Sequence, residues 1–272
     1  MRQSLSLIPA SPQGYLSRLS PSIFIRFWAK MPSCFLSSRR QHGSSFMPSS
    51  SQSISLFPFD PPEEADLTAL RKAFSGFTGL SFRQNWFSNP ERDFQEGTVF
   101  AAWCSGFLHV LVDFADEDIV VSSPSIKSSN LVVADIFQVF INRPSQEDYL
   151  EIHVSPDNKT RIISWTPERL LRFQEGSISI DDILKEELPS LLTRTWIEEE
   201  KGAWQAYLQI PASLIDPQTT EFEGGNQVKG TFCRFDAAPD SVAPVLSSTS
   251  PFEGGPKFHN LAAWHDLQLK KS

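Results

Sequence analysis

Short runs of alternating apolar and polar residues, each closed by a turn signal, recur along most of this chain, and no long helical period separates them. In Asp135–Asn142 (DIFQVFIN) the two-residue period sets Phe137, Val139 and Ile141 on one face with Asp135. Ile136, Gln138, Phe140 and Asn142 take the other. Tyr149–Val154 (YLEIHV) turns Leu150, Ile152 and Val154 inward and Tyr149, Glu151 and His153 outward. Pro156–Asp157–Asn158 reads as a turn and Thr160–Trp165 as the next strand. Further strands are predicted at Gly97–Cys104, Phe107–Phe114, Leu191–Glu198, Gly202–Ile210, Gly230–Phe235 and Ala262–Leu269, with Gly106 making a hairpin turn between the first two. Helical spacing is confined to two places. Asp66–Phe77 sets Leu67, Leu70 and Phe74 on one stripe behind a capping Asp66, and Ser179–Leu188 is ended by Pro189. The lack of strand–helix alternation argues against a parallel α/β fold and predicts an all-β, antiparallel β-sandwich with one or two short helices.

A chain of 272 residues, 40% of them hydrophobic, has enough apolar surface for one large core. Its charge is unevenly placed. Residues 1–46 hold Arg2, Arg18, Arg26, Lys30, Arg39 and Arg40 and no acidic residue. The remainder carries 18 basic and 32 acidic residues, a net of -14 within a total of -8. An Arg-rich, Ser-rich, acid-free start broken by four prolines suits a transit-peptide-like leader or a disordered tail, and no clear secretory signal stands there. Residues 1–55 are read as a disordered or processed extension and 56–272 as the folded domain. The acidic domain argues against nucleic acid as a partner, and no run of 18 apolar residues is present to span a membrane. Three distant cysteines, Cys34, Cys104 and Cys233, exclude a disulfide framework and read as unpaired thiols, the last two buried in strands.

No phosphate-binding glycine loop, nucleophile elbow, H-E-x-x-H or EF-hand loop occurs. Three constellations remain. Asp113, Asp116, Glu117 and Asp118 crowd a strand end, where carboxylate oxygens suit a hard cation such as Ca2+. Glu151 and His153 share a strand face about 7 Å apart, and His109 on another strand would complete a His–His–Glu metal site. The bland reading of these three is a set of polar partners on a solvated face. The third is aromatic: Trp86, Trp103, Trp165, Trp196, Trp204, Trp264 and Tyr207. Exposed rings stack on sugar faces while polar neighbours bond the hydroxyls. Trp103 and Trp204, in mid-strand, read as core; Trp86 and then Trp165 are the candidates for exposure.

Taken in order, the strand motifs resemble the family 9 carbohydrate-binding module and its DOMON-like relatives. The matching pieces are FLHVLVDFADED (107–118), ADIFQVFINRP (134–144), YLEIHVSPDN (149–158), GAWQAYLQIPASLI (202–215), GTFCRFDA (230–237) and KFHNLAAWHDLQL (257–269). Gln138 stands where the family usually has Glu. The resemblance implies a jelly-roll-like sandwich that binds oligosaccharide or polysaccharide between aromatic rings without catalysis, often with structural Ca2+. By position it marks Asp135, Gln138, Glu151, Arg234 and His259, with Asp135 and Arg234 structural or site-lining. Joined with the aromatic reading, this gives Trp86, Trp165, Asp135, Glu151, Arg234 and His259 as candidate ligand-binding residues, and Asp113, Asp116 and Asp118 as candidate metal ligands. The alternatives are a hydrolytic or metal-dependent enzyme on the same scaffold, working through His109, Glu151 and His153, and an interaction protein with a degenerate site.

Overall fold

In the computed structural model the described residues are 52–104, 106–121, 134–142, 146–183, 191–237 and 243–271. The expectations for 1–51 and for the end of the second helix lie outside them. Twelve strands follow one another: β1 (Ser53–Leu56), β2 (Leu80–Ser81), β3 (Gly97–Cys104), β4 (Phe107–Ala115), β5 (Ile136–Asn142), β6 (Tyr149–Val154), β7 (Thr160–Trp165), β8 (Leu192–Glu198), β9 (Ala203–Pro211), β10 (Gln227–Asp236), β11 (Val245–Ser248) and β12 (His265–Leu269). The helices are α1 (Leu67–Phe74), α2 (Pro167–Gln174), α3 (Ile180–Ile183) and α4 (Ala212–Ile215).

The strands form two sheets. One runs β1-β12-β10-β5-β6-β7, with β11 also beside β10; the other runs β2-β3-β4-β9-β8. Every pairing is antiparallel except β1 with β12. Ten-residue β10 pairs with β5 along Lys229–Phe235, with β12 at its start and with β11 at its end. This is the predicted two-sheet, jelly-roll-like β-sandwich. The sheet begins at Ser53, a little before the domain start read from composition, because Ser53–Leu56 pairs in register with Asp266–Leu269.

The alternation explains the layers. Phe137, Val139 and Ile141 of β5, and Leu150, Ile152 and Val154 of β6, meet Val110, Val112, Phe114, Trp204, Ala206 and Leu208 from the facing sheet in one core. Trp103 and Trp204 are core residues, as their mid-strand positions imply. Both outer faces are covered as well. On the β3-β4-β9 sheet, α1 and Phe59 pack over Ala102, Leu111 and Tyr207. Asp66 caps α1 as expected, its carboxylate accepting from Ala69 N at 2.9 Å. On the other sheet, Leu170, Phe173, Ile183, Phe252, Phe258 and Trp264 pack over Phe140, Tyr149 and Trp165. The polar face expected to be solvated on β6 is therefore buried.

One cation links the sheets. Arg234 of β10 is 1% exposed. Its NH1 donates to Ala115 O (2.9 Å) and Gln95 O (3.4 Å) on the opposite sheet's side, and its guanidinium lies 4.6 Å from the Phe114 ring centre. Its NH2 bonds Asp116 Oδ2 at 2.9 Å and Asp236 Oδ1 at 3.1 Å. Removing one partner of such a buried pair strands the other in low dielectric. We expect Arg234→Met to lower stability by about 3–5 kcal/mol in urea unfolding. A loss below about 1 kcal/mol would mean that apolar packing alone joins the sheets.

Candidate functional site

The structure divides the six candidate ligand-binding residues into two groups. Glu151, Trp165 and His259 come together on the outer face of the β5-β6-β7 sheet, with Trp86 close by. Asp135 and Arg234 belong to the sheet-linking cluster.

The first group is built on strand register. Tyr149, Glu151 and His153 alternate along β6, so all three point away from the sandwich core. Gln138 opposes His153 across β5, and Trp165 opposes Tyr149 across β7. Glu151 is 1% exposed. Its Oε2 accepts from Trp165 Nε1 at 2.6 Å, and its Oε1 lies 2.6 Å from His153 Nε2 and 3.4 Å from Gln138 Nε2. Burial alone would raise this carboxyl. Attraction to His153 and His259 and the bonds from His153 and Trp165 outweigh it, so Glu151 is held below the usual carboxylate range. The Tyr149 hydroxyl and His259 Nδ1 share a hydrogen bond at 2.5 Å, with the phenol kept neutral by burial. His259 itself is pushed below the ordinary imidazole value by burial.

Aromatic rings frame these groups. His259 stands edge-on to Trp165 at 5.6 Å and to Phe140 at 5.3 Å. Trp165 is buried, not exposed as its place before Thr166–Pro167 suggests. Those two residues start α2, with Thr166 as N-cap and Pro167 in the first turn, and the helix brings Phe173 to 5.4 Å from the indole. Trp86 is half-buried, 6.2 Å from both Phe258 and Phe87, and Phe87 is 48% exposed. The rings thus run from the surface at Phe87 and Trp86, through Phe258 and His259, to the buried carboxylate. Two buried polar atoms in this group, Gln138 Oε1 and His153 Nδ1, have no hydrogen-bond partner among the described residues. Such atoms are costly unless something else bonds them.

The second group is acidic. Asp116, Asp135 and Asp236 place one carboxylate oxygen each within 4.8 Å of one another, all buried. Of the three acids read as metal ligands, only Asp116 is in this set. Asp113 faces outward and takes two nitrogens of Arg71, at 2.9–3.2 Å, and Gln205 Nε2. Asp118 accepts from Gln95 Nε2 at 3.2 Å. Asp236 was missed by sequence, although it stands two residues after Arg234 on the same strand and so on the same face. Asp116 also accepts from Trp204 Nε1 at 3.1 Å. Asp135 accepts from Val120 N (2.6 Å) and Ala237 N (2.8 Å), one on each oxygen. Burial, then the neighbouring carboxylates, push Asp135 up to about 8. Burial likewise pushes Asp236 up to about 7 and raises Asp116. One guanidinium faces three carboxylates, and three oxygen donors at this spacing can coordinate a divalent ion.

The His–His–Glu metal site does not form. His109 lies on β4 and faces the outer side of its sheet, toward Tyr207 and Phe59. Glu151 and His153 face the outer side of the other sheet, so the sandwich core separates them from His109.

Neither protein-family models nor curated proteins match this chain. Solved structures do. A family 9 carbohydrate-binding module from Caldicellulosiruptor kristjanssonii, in complex with cellotriose, aligns over 81% of this chain and 95% of its own, with TM-score 0.55 and 14% identity. The same kind of module from that organism in complex with glucose gives 0.55 and 14%, over 81% and 97%. A putative carbohydrate-binding protein from Bacteroides uniformis gives 0.57 and 15%, over 81% and 100%. The chain therefore has the β-sandwich fold of carbohydrate-binding modules. The likeness is one of fold and carries no ligand with it.

The acidic group sets a sign for pH. Asp135 and Asp236 bind protons more tightly in the folded chain than at the ordinary carboxylate value of 3.8. Between pH 4 and 8 the unfolded chain holds fewer protons, so this cluster's contribution to stability falls as pH rises. Asp135→Asn removes one such group. In chelator, its unfolding free energy is expected to gain on the wild type steadily from pH 4 to pH 8. A flat difference would show Asp135 ionised throughout in the folded protein.

Proposed function

We propose that this chain is a non-catalytic carbohydrate-binding protein whose site lies on the outer face of the β5-β6-β7 sheet. The observation that carries the reading is Glu151. It is an ionised, buried carboxylate ringed by Trp165, Tyr149 and His259, with Gln138 Oε1 and His153 Nδ1 beside it lacking partners. Saccharides present apolar ring faces and hydroxyls together, so a receptor needs stacking area and oriented polar groups in one place. Trp86 supplies the stacking face at the surface end. His259 and Tyr149 lie deeper on the same face, and Glu151 orients Trp165 and His153 from below. Asp135 and Arg234 act from the sheet-linking cluster. The fold shared with modules solved in complex with cellotriose and with glucose supports the same reading.

Titration of the full chain with cellotriose and with glucose tests it. Heat of binding is expected, with affinity lowered about tenfold or more by Trp86→Ala, the loss of an aromatic anchor. No heat from a folded sample, or unchanged binding by the variant, would overturn the reading.

The acidic cluster is read as a structural Ca2+ site. Its donors are all hard oxygens. Backbone N–H groups on both oxygens of Asp135 favour the ionised form that burial disfavours, a conflict that a cation among the three carboxylates removes. The residues that would hold the ion are Asp116, Asp135 and Asp236. Ca2+ at pH 8 is expected to raise the melting temperature of the wild type, by ligand linkage to the folded state, and to leave that of Asp116→Asn unchanged. An equal rise in both, or none in either, would reject the site.

A further inference from the structure

The outer face of the β3-β4-β9 sheet carries a second set of reactive groups, independent of the saccharide reading. Cys104 ends β3, and His109 lies just beyond the hairpin on β4. Tyr207 and Gln209 occupy the adjoining positions of β9, Gln209 directly opposite His109. Cys104 Sγ is 3.0 Å from His109 Nε2, and His109 Nδ1 is 2.7 Å from the Tyr207 hydroxyl. The same hydroxyl accepts from Gln209 Nε2 at 3.1 Å.

Counting protons along this line fixes its direction. Gln209 Nε2 can only donate to the Tyr207 oxygen, so among the described residues His109 Nδ1 is the acceptor within reach of the hydroxyl proton. Burial lowers His109 to about 4, so the imidazole is neutral, and burial also keeps the Tyr207 phenol protonated. A neutral imidazole that accepts at Nδ1 carries its proton at Nε2, and that N–H points at the sulfur. The relay runs from Gln209 through Tyr207 and His109 and ends on Cys104 as an acceptor. Such a bond strengthens as the sulfur gains negative charge, and the thiolate is the nucleophilic form. Access separates this thiol from the other one described. Cys104 is half-buried, whereas Cys233 is fully buried with its thiol pushed up by burial. Phe107, 38% exposed, pairs with Cys104 across the hairpin and lies 6.1 Å from the His109 ring.

We infer that Cys104, held by the His109–Tyr207–Gln209 relay, is a peroxide-reactive thiol, a site of oxidative modification on this face. The Cys104 thiol loses its proton to solvent, and the sulfur attacks the near oxygen of a hydroperoxide. An S–O bond forms as the O–O bond breaks. The sulfur is oxidised by two electrons to the sulfenic acid, and the peroxide is reduced to water or an alcohol, which takes up the released proton.

The test uses the full chain, hydrogen peroxide and dimedone trapping, with each cysteine followed by peptide mass spectrometry. Cys104 is expected to form the sulfenic adduct roughly tenfold faster in the folded chain than in the same chain unfolded in urea, with Cys233 showing the opposite order. Tyr207→Phe, which removes one oxygen, is expected to slow Cys104 several-fold while keeping the melting transition. If that variant does not fold, Gln209→Met, at a half-buried position, decides instead and is expected to slow it likewise. A folded rate no greater than the unfolded one, or a wild-type rate in the deciding variant, would overturn the inference.

Discussion

A single buried guanidinium holds the two halves of this sandwich in register. Arg234 reaches from β10 to backbone carbonyls at the end of β4, lies against Phe114, and draws Asp116 and Asp236 to its other nitrogen. Apolar contact between sheets is non-directional and tolerates sliding. The hydrogen bonds of a planar, always-charged fork do not. The acidic side chains around it have no water to solvate them, so their charge must be met by Arg234, by protons or by a second cation. Arg234 thus ties the contact between the sheets to the chemistry of the acidic cluster.

The strands were legible because their two-residue period is a property of the chain. Phe137, Val139 and Ile141 face the core as their spacing implies, and so do Leu150, Ile152 and Val154. The missing elements are those whose pattern is too short to read. β2 has two residues, and β11 is held by pairing with β10. α2 was hidden behind Thr166–Pro167, which breaks a strand but also starts a helix. The site was legible only in part. Alternation placed Glu151 beside His153, but whether that face meets water depends on α2 and on Phe258 and Trp264, the last two more than a hundred residues away in sequence. The same limit explains Asp113 and Asp116. Three positions apart on one strand and its exit, they face opposite sides of a sheet and meet Arg71 and Arg234 respectively.

Each outer face is closed in its own way. The β3-β4-β9 sheet is covered by one capped helix and by Phe59, which stacks on Phe74 at 4.5 Å and approaches His109 at 4.9 Å. The β5-β6-β7 sheet is covered by the short helices after β7 together with the segment before β12. Strand register pairs some of the polar groups under both covers: Glu151 with Trp165, His109 with Tyr207. This is the arrangement that low dielectric demands of a buried polar group.

The pairing of β1 with β12 has a consequence for the edge of the sheet. Among the described residues β1 is the outermost strand of its sheet and pairs with β12, with Gln52 O accepting from Asp266 N and Leu56 O from Lys270 N just past β12. Cleavage beyond Leu56 would release the parallel edge and bare the ladder of β12, a ready template for a strand from another copy. The edge that β1 shields is thus held by the hydrogen bonds of four residue pairs to β12 and its flanks.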